Sequence, residues 1–383
     1  MKIAMIHNEY AAFSGEEAMF YRIAELLQSR GHEVVQFVRS SQDIGHSLVN
    51  KASAFFSGIY SADSRRQIRI FLKQHRPDIV HIQNLYPLIS PSILPVITKM
   101  GIPLVMRCAN YRLVCPNGLL LRNGRVCHRC LGGREWQCLL TNCQQNLGKS
   151  AGYAIRNYIA RKQGWFDKHV NVFYTQTCFQ KSILVQNGFD ADKIEVIPNM
   201  TSLEGSDFNP GKYVGYLGRI SAEKGVDTFL DAARQLRHIP FKLAGAIGIE
   251  SFHTQKLPDN VEYVGFLRKD QKIEFLKNAA IIVVPSICYE GFPGTLLDAM
   301  SYSTPVICSA IGGLPEIVQD CKTGRLFEPA NPLDLSKKIE HLWNDDILQK
   351  KLGQQGCCFA REQFSEDRYY DRLMAAYEKA AKN

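Results

Sequence analysis

Ile281-Ile282-Val283-Val284-Pro285, followed by Glu290-Gly291-Phe292-Pro293-Gly294-Thr295-Leu296-Leu297-Asp298, reads as a buried strand, a glycine-rich loop and the opening of a helix. A short unbroken apolar run suits a strand covered on both faces of a parallel sheet. Upstream, Tyr213-Val214-Gly215-Tyr216-Leu217 is a second such strand, and Gly218-Arg219-Ile220-Ser221-Ala222-Glu223-Lys224-Gly225 leads from it to a helix starting near Val226. In an open parallel sheet, ligands lie beyond the carboxyl ends of the strands, where backbone amides and helix N-termini face them. One segment carries two cations five residues apart and the other two acids eight apart. A guanidinium and an ammonium at a helix mouth can neutralise a diphosphate without a metal ion. Glu290 can accept hydrogen bonds from sugar hydroxyls, and the two oxygens of Asp298 can hold a ribose diol. The pair of segments therefore describes a site for a sugar joined to a diphosphate.

Outward from this pair the same alternation continues. In the first half, strands are expected at 3–6, 33–38, 79–83, 103–106, 170–174 and 194–197, with helices at 16–29, 148–166 and 179–186. In the second half, strands at 241–244, 261–264 and 305–308 alternate with helices at 226–236, 271–278 and 294–302, and 333–343, 347–364 and 365–381 close the chain as helices. Strands alternating with helices imply an α/β chain of two Rossmann-like, doubly wound parallel sheets. The polar stretch 200–212 has the composition of a linker. The expected division is a first domain over 1–200 with a cysteine-rich insert at 108–147, and a second over 201–364. The C-terminal helix, 365–383, is expected to pack back on the first.

The chain has 383 residues, 45% of them hydrophobic, enough for a core in each half. Its 46 Lys and Arg against 37 Asp and Glu give +9, which suits acidic partners without choosing among phosphates, membranes and nucleic acid. No run approaches the roughly 18 to 20 apolar residues that span a bilayer. The start, Met1-Lys2-Ile3-Ala4-Met5-Ile6, is a first strand and too short for a signal peptide. A cytoplasmic protein, at most resting on the inner face of the cell membrane, is expected.

Several motifs together carry a resemblance: Gly-x-x-Gly-Arg-x4-Lys-Gly ending at Gly225, Glu290-x7-Asp298, the strand end Val196-Ile197-Pro198-Asn199, and Gly312-Gly313-Leu314-Pro315-Glu316 followed by Gly324. In combination they are similar to glycosyltransferase family 4, retaining enzymes with the GT-B fold, in which two such domains face a cleft. The resemblance implies a nucleoside-diphosphate sugar of the UDP or GDP type as donor. It implies Arg219 and Lys224 on the diphosphate, Glu290 on the transferred sugar and Asp298 on the ribose. Asn199, Gly218, Gly291, Phe292, Gly294, Thr295 and Leu296 complete the donor side, with the base resting near Gly265 and Phe266. The family usually has a second Glu where this chain has Asp298. Phe13-Ser14-Gly15-Glu16-Glu17 resembles the family's glycine-rich loop, with Gly15 letting an amide approach the donor phosphate. No catalytic metal is implied.

Arg107-Cys108-Ala109-Asn110-Tyr111-Arg112 resembles a loop in which relatives carry His-Asn-Tyr-Arg. Ala109 stands at the position of a His that lies near the reacting sugar, and alanine can neither orient a substrate nor move a proton. An engineered inactivation is favoured over natural loss or a misaligned loop. Asn84 and Tyr86, after a strand, suit an acceptor cleft together with Asn110 and Arg112. The implied acceptor is a saccharide or lipid-linked saccharide, and the pathway a bacterial capsule, O-antigen or exopolysaccharide.

Five cysteines cluster in Cys115-x11-Cys127-x2-Cys130-x7-Cys138-x4-Cys143. A close pair can grip one side of a tetrahedral zinc while two distant thiolates close the other. Similar glycosyltransferases carry Cys-Pro-Asn-Gly, Cys-x2-Cys and a last Cys near Cys143, which selects Cys115, Cys127, Cys130 and Cys143 as the ligands of a structural zinc and leaves Cys138 out. The segment 148–166 mixes Tyr153, Ile155, Tyr158 and Trp165 with Arg156, Arg161 and Lys162, a basic aromatic helix able to lie on anionic lipid. The rivals are a nucleotide-sugar epimerase or phosphorylase of the same fold, and a zinc-containing nucleic-acid-binding protein. The last leaves the Glu290 segment unexplained, so no nucleic-acid partner is expected.

Overall fold

The computed structural model describes residues 1–10, 14–41, 58–201, 208–249, 252 and 256–382. Phe13 and most of the expected linker, 202–207, lie outside them. The chain forms two compact units: 1–120 with 128–197 and 370–383, and 121–127 with 198–369.

In the first unit β1 (Lys2–Glu9), β2 (Glu33–Ser40), β3 (Ile79–Asn84), β4 (Leu104–Arg107), β7 (Val172–Thr175) and β8 (Ile194–Val196) make one sheet in the order β2-β1-β3-β4-β7-β8. Every pairing in it is parallel. β3 is buried along its whole length, as a strand covered on both faces must be. The order reverses between β1 and β3, so the chain leaves these neighbours in opposite directions and opens a crevice beyond their carboxyl ends. The helix Glu366–Lys382 belongs to this unit through its C-terminal part. Its Tyr377 hydroxyl lies 2.6 Å from His81 Nδ1, and the Tyr174 hydroxyl lies 3.0 Å from Nε2 of the same ring. Burial first, then the Arg107 charge, lowers the His81 pKa to about 3, which keeps the ring neutral.

The second unit repeats the plan with β9 (Val214–Leu217), β10 (Phe241–Ala244), β11 (Val261–Gly265), β12 (Ile281–Val284), β13 (Val306–Ser309) and β14 (Arg325–Phe327) in the order β11-β10-β9-β12-β13-β14. All pairings are again parallel. Two apolar cores cover its faces, one centred on Phe229, Phe241 and Leu335 and one on Leu276, Leu296 and Met300. Its reversal lies between β9 and β12, the two strands that lead into the Arg219 and Glu290 loops.

A short antiparallel hairpin of β5 (Leu121–Arg122) and β6 (Arg125–Val126) was not foreseen. The expected single helix at 148–166 is two, Leu147–Gln163 and Trp165–His169, because Gly164 adopts φ +63 between them. Ala191–Lys193 forms a 3₁₀ turn capped by Asp190 before β8. Among the described residues no helix is long and apolar enough to cross a membrane.

Candidate active site

The second unit builds its site from the loops after β9 and β12. Glycine is required at Gly225, with φ +70, because a Cβ there would stand 1.8 Å from the Pro285 carbonyl oxygen. That close approach fixes the mouth of the helix Val226–Gln235 against the end of β12 and brings Lys224 to Glu290. Lys224 Nζ donates to Glu290 Oε1 at 2.7 Å and to Oε2 at 2.8 Å, and Ser286 Oγ donates to Oε1 at 2.5 Å. Burial would raise the Glu290 carboxyl, but the Lys224 charge and these hydrogen bonds outweigh it and hold the pKa below the usual range. Burial likewise opposes the Lys224 charge, and Glu290 outweighs it upward. Lys224 and Glu290, expected on phosphate and on sugar respectively, thus form a single ion pair in which the acid is buried and the amine partly exposed.

Arg219 is half exposed and pairs with Glu223, while the Tyr216 hydroxyl donates to the Arg219 carbonyl at 2.7 Å. The close backbone approach beside Gly218 depends on Gly245, whose φ is +145 and whose Cβ would stand 1.8 Å from Gly218 O. Glu290, Gly291 and Phe292 run into the helix Gly294–Ser301, where Pro293 at the N-cap offers no side-chain acceptor. The Gly294 and Thr295 amides are left to donate outward, while Leu296 N bonds back to Pro293 O at 3.2 Å. Thr295 Oγ1 ties this start to β9 by donating to Leu217 O at 3.0 Å, and Asn199 Nδ2 donates to Phe292 O at 3.2 Å. Leu296 is core. Asp298 is half-buried and held by Lys272, Nζ to Oδ2 at 2.5 Å, a partner the sequence reading missed. Gly265 turns with φ +81 at the end of β11, and Phe266 beyond it is 70% exposed, with its ring free to stack.

In the first unit Asn84, Tyr86, Asn110 and Arg112 do come together, at the β1/β3 reversal. Arg112 Nη1 donates to Asn84 Oδ1 and to the Tyr10 hydroxyl, both at 3.3 Å. Tyr10 in turn donates to Glu16 Oε2 at 2.9 Å, and Asn110 Nδ2 approaches the same oxygen at 3.4 Å. Gln180 Nε2 donates to the carbonyls of Cys108 and Asn110 at 2.6 and 3.4 Å, clamping the backbone on either side of Ala109. Gly15 begins the helix Gly15–Ser29 behind a Ser14–Glu17 capping box. A Cβ on it would meet nothing within 4 Å. Tyr10 and Gln180 leave no sequence signal beyond their polarity.

The four-thiol zinc site is not assembled. Among the described residues no group of three or more His, Cys, Asp or Glu side chains can hold a metal ion. Cys138, excluded from sequence, is fully buried and packs with Cys130 and Cys143, while Cys143 N donates to Cys138 O at 3.1 Å. The Cys115 thiol turns to Asn117 Oδ1 at 3.0 Å, and Cys127 closes the hairpin segment 121–127. Cysteine spacing missed this because the turn after the helix Trp136–Leu140 folds Cys143 back on Cys138.

A family model described as "Glycosyl transferases group 1" matches 204–357, and one described as "Glycosyl transferase 4-like domain" matches 14–200. Both descriptions name glycosyl transferases and the two matches together span most of the chain, so it is a glycosyltransferase. An uncharacterized glycosyltransferase, MJ1178, of Methanocaldococcus jannaschii is 34% identical over 202 residues, 52% of this chain and 54% of that protein. The capsular polysaccharide biosynthesis glycosyltransferase CapM of Staphylococcus aureus is 25% identical over 179 residues, 44% of this chain and 46% of its own length. The matched stretch is thus about half the length of each of these two relatives. Among solved structures, Anabaena Alr3699/HepE in complex with UDP and glucose aligns over 99% of both chains with a TM-score of 0.69 at 15% identity. The fold of this glycosyltransferase is accordingly GT-B, as the resemblance implied.

Proposed function

We propose that this glycosyltransferase moves a sugar from a nucleoside-diphosphate donor to a saccharide or lipid-linked saccharide, with retention of anomeric configuration, in the assembly of a bacterial surface polysaccharide. The observation that carries this reading is the partly buried Lys224–Glu290 pair at the β9/β12 reversal, beside the uncapped start of the helix Gly294–Ser301. Lys224 and Arg219 take the diphosphate, whose charge grows as the glycosidic bond breaks, so their effect is realised in the transition state. Glu290, held ionised, accepts from the sugar hydroxyls. The free helix amides add donors to the phosphate. Asp298 takes the ribose hydroxyls, and Gly265 with Phe266 bounds the base. No metal is needed for these roles, because two cations and a helix terminus supply the positive charge.

The HepE complex supports a UDP donor, and CapM supports a polysaccharide product. Catalysis then takes place in the cytoplasm, at the inner face of the membrane if the acceptor is lipid-linked. The test is thermal stabilisation by UDP against GDP, followed by turnover of the stabilising class of nucleotide sugar and the anomeric configuration of the product by NMR. Failure of both nucleotides to stabilise the protein overturns the reading. Conversion of donor in the absence of acceptor points instead to an epimerase.

A further inference from the structure

At the reversal of the first sheet, two cations stand close together and one of them has no acid among the described residues. Arg112 follows β4, and Arg156 comes from the helix Leu147–Gln163. Both guanidinium carbons lie near the same Tyr86 ring, 6.0 and 3.9 Å from its centroid. Tyr10 flanks Arg112 at 5.7 Å, and Tyr153 flanks Arg156 at 4.6 Å. Three tyrosines therefore hold two like charges beside each other. Glu16 acts on Arg112 through space and through the Tyr10 hydroxyl. Arg156 is 6% exposed, and its hydrogen bonds run from Nε and Nη2 to the Asn157 side chain and from Nη2 to the Pro116 carbonyl, each at 3.3 Å. Among the described residues it meets no carboxylate, and its Nη1 makes no hydrogen bond.

A buried guanidinium without a counter-charge is costly, and a second one nearby adds repulsion. Burial first, with the Arg112 charge adding to it, pulls the Arg156 pKa down to about 10. Anchoring the helix does not explain this cost, since a neutral side chain in the same aromatic slot could anchor it without desolvating a charge. Stacking on tyrosine faces holds the fork rigid but leaves its charge to be met from outside. A planar fork fixed in this way matches the paired oxygens of a carboxylate or a phosphate.

We propose that Arg112 and Arg156 form an oxyanion subsite for the acceptor, which makes the acceptor an acidic saccharide bearing a carboxylate or a phosphate. The proposal rests on the glycosyltransfer reading above for the word acceptor, and on the first unit alone for the anion. Tyr10, Asn84 and Asn110 rim the subsite with hydroxyl and amide groups that suit the neighbouring sugar ring. Arg112 approaches the anion from the loop that also carries Ala109, so a bound acid group places its sugar beside that position.

The test titrates the protein, saturated with UDP so that the donor site is filled, with methyl glucuronide, glucose 6-phosphate and methyl glucoside. One of the two acids is expected to bind at least tenfold more tightly than the neutral glycoside, and which one does so separates a uronate from a phosphate source. In Arg156→Gln the preference should vanish, and in Arg156→Lys it should fall severalfold, since charge remains but the fork is gone. UDP binding by each variant reports that it is folded, and Arg112→Gln gives the same reading if Arg156→Gln does not fold. Equal binding of acid and neutral sugars by the wild type, no binding of either, or a preference that survives Arg156→Gln overturns the proposal. Failure of UDP to bind counts against the donor reading instead and leaves the acid preference to be measured without it.

Discussion

The two sheets reverse at equivalent places, yet they dispose of charge in opposite ways. At the β9/β12 reversal each cation has its own acid: Lys224 with Glu290, Arg219 with Glu223, Lys272 with Asp298. At the β1/β3 reversal Arg156 is held by rings and neutral oxygens, and buried polar atoms stand without partners: both nitrogens of His7, Gln83 Oε1 and Glu16 Oε1. The second sheet, among its described residues, leaves only Ser309 Oγ in that state. Internal pairing keeps charges ionised and positioned before a ligand arrives, so a donor there must exchange partners with the protein. Unpaired buried groups instead leave a requirement for a ligand or water to meet.

The comparison breaks most readily at Lys224. Lys224→Ala removes the cation proposed to face the leaving diphosphate and takes from the buried Glu290 its paired charge. A loss of roughly 10²–10³-fold in kcat is expected, by analogy with removal of a single oxyanion donor. Donor affinity should fall by much less, because the stabilised charge develops in the transition state. Steady-state kinetics beside nucleotide titration checks the split, and a loss confined to KM would show that Lys224 binds ground and transition states alike.

A smaller effect is expected from Ala109→His, on the side of the first sheet. Gln180 fixes the carbonyls around this position, so a new imidazole would be held by an ordered backbone. General acid–base groups contribute about 10²–10⁴-fold where fully aligned, and a gain of about 10- to 100-fold in turnover is expected from a group restored without co-selected neighbours. A restored variant no faster than the parent removes position 109 from the mechanism.

His7 sharpens the contrast through stability. It is fully buried, stacked on Phe20 at 4.7 Å, and burial first, then the Arg107 charge, lowers its pKa to about 4. The unfolded chain takes up this proton near pH 6.5, whereas the folded one resists it to about 4. The contribution is therefore complete above about pH 6.5 and is lost as the pH falls toward 4. His7→Phe, which cannot titrate, should lose about 2 kcal/mol less than the parent between pH 7 and pH 5 by urea unfolding. Equal losses would mean that the His7 nitrogens are hydrated in the folded protein.

Much of this was legible in the sequence because it follows from periodicity. Apolar runs alternating with helical patterns gave both sheets, and glycine with charge at strand ends gave the residues of the second reversal. What sequence could not show is partnership. Lys224 and Glu290 are 66 residues apart, and only the close approach that Gly225 permits makes them a pair. Arg156 looked like one cation among several on a lipid-facing helix, because its burial depends on the distant Tyr86. The cysteine ligands failed for a local reason: the turn after the helix Trp136–Leu140 sets Cys143 back against Cys138, which ligand spacing alone does not reveal.

The smallest expected effect tests whether internal pairing limits donor affinity in the second unit. Lys272 draws the short Asp298 side chain to itself, Nζ to Oδ2 at 2.5 Å, and both groups are partly exposed. Part of the carboxylate is therefore committed before a ribose arrives, and a partly exposed pair of this kind contributes about 0.2–1 kcal/mol. Lys272→Met keeps the stem packed and frees the acid, so affinity for the donor nucleotide should rise by about twofold to fivefold, read by calorimetry. Asp298→Glu, with a longer reach from the same helix, should rise in the same direction, because it can meet a ribose without leaving Lys272. If Lys272→Met weakens binding instead, the lysine itself contacts the nucleotide, and the pairing of the second unit is part of the donor site rather than a competitor of it.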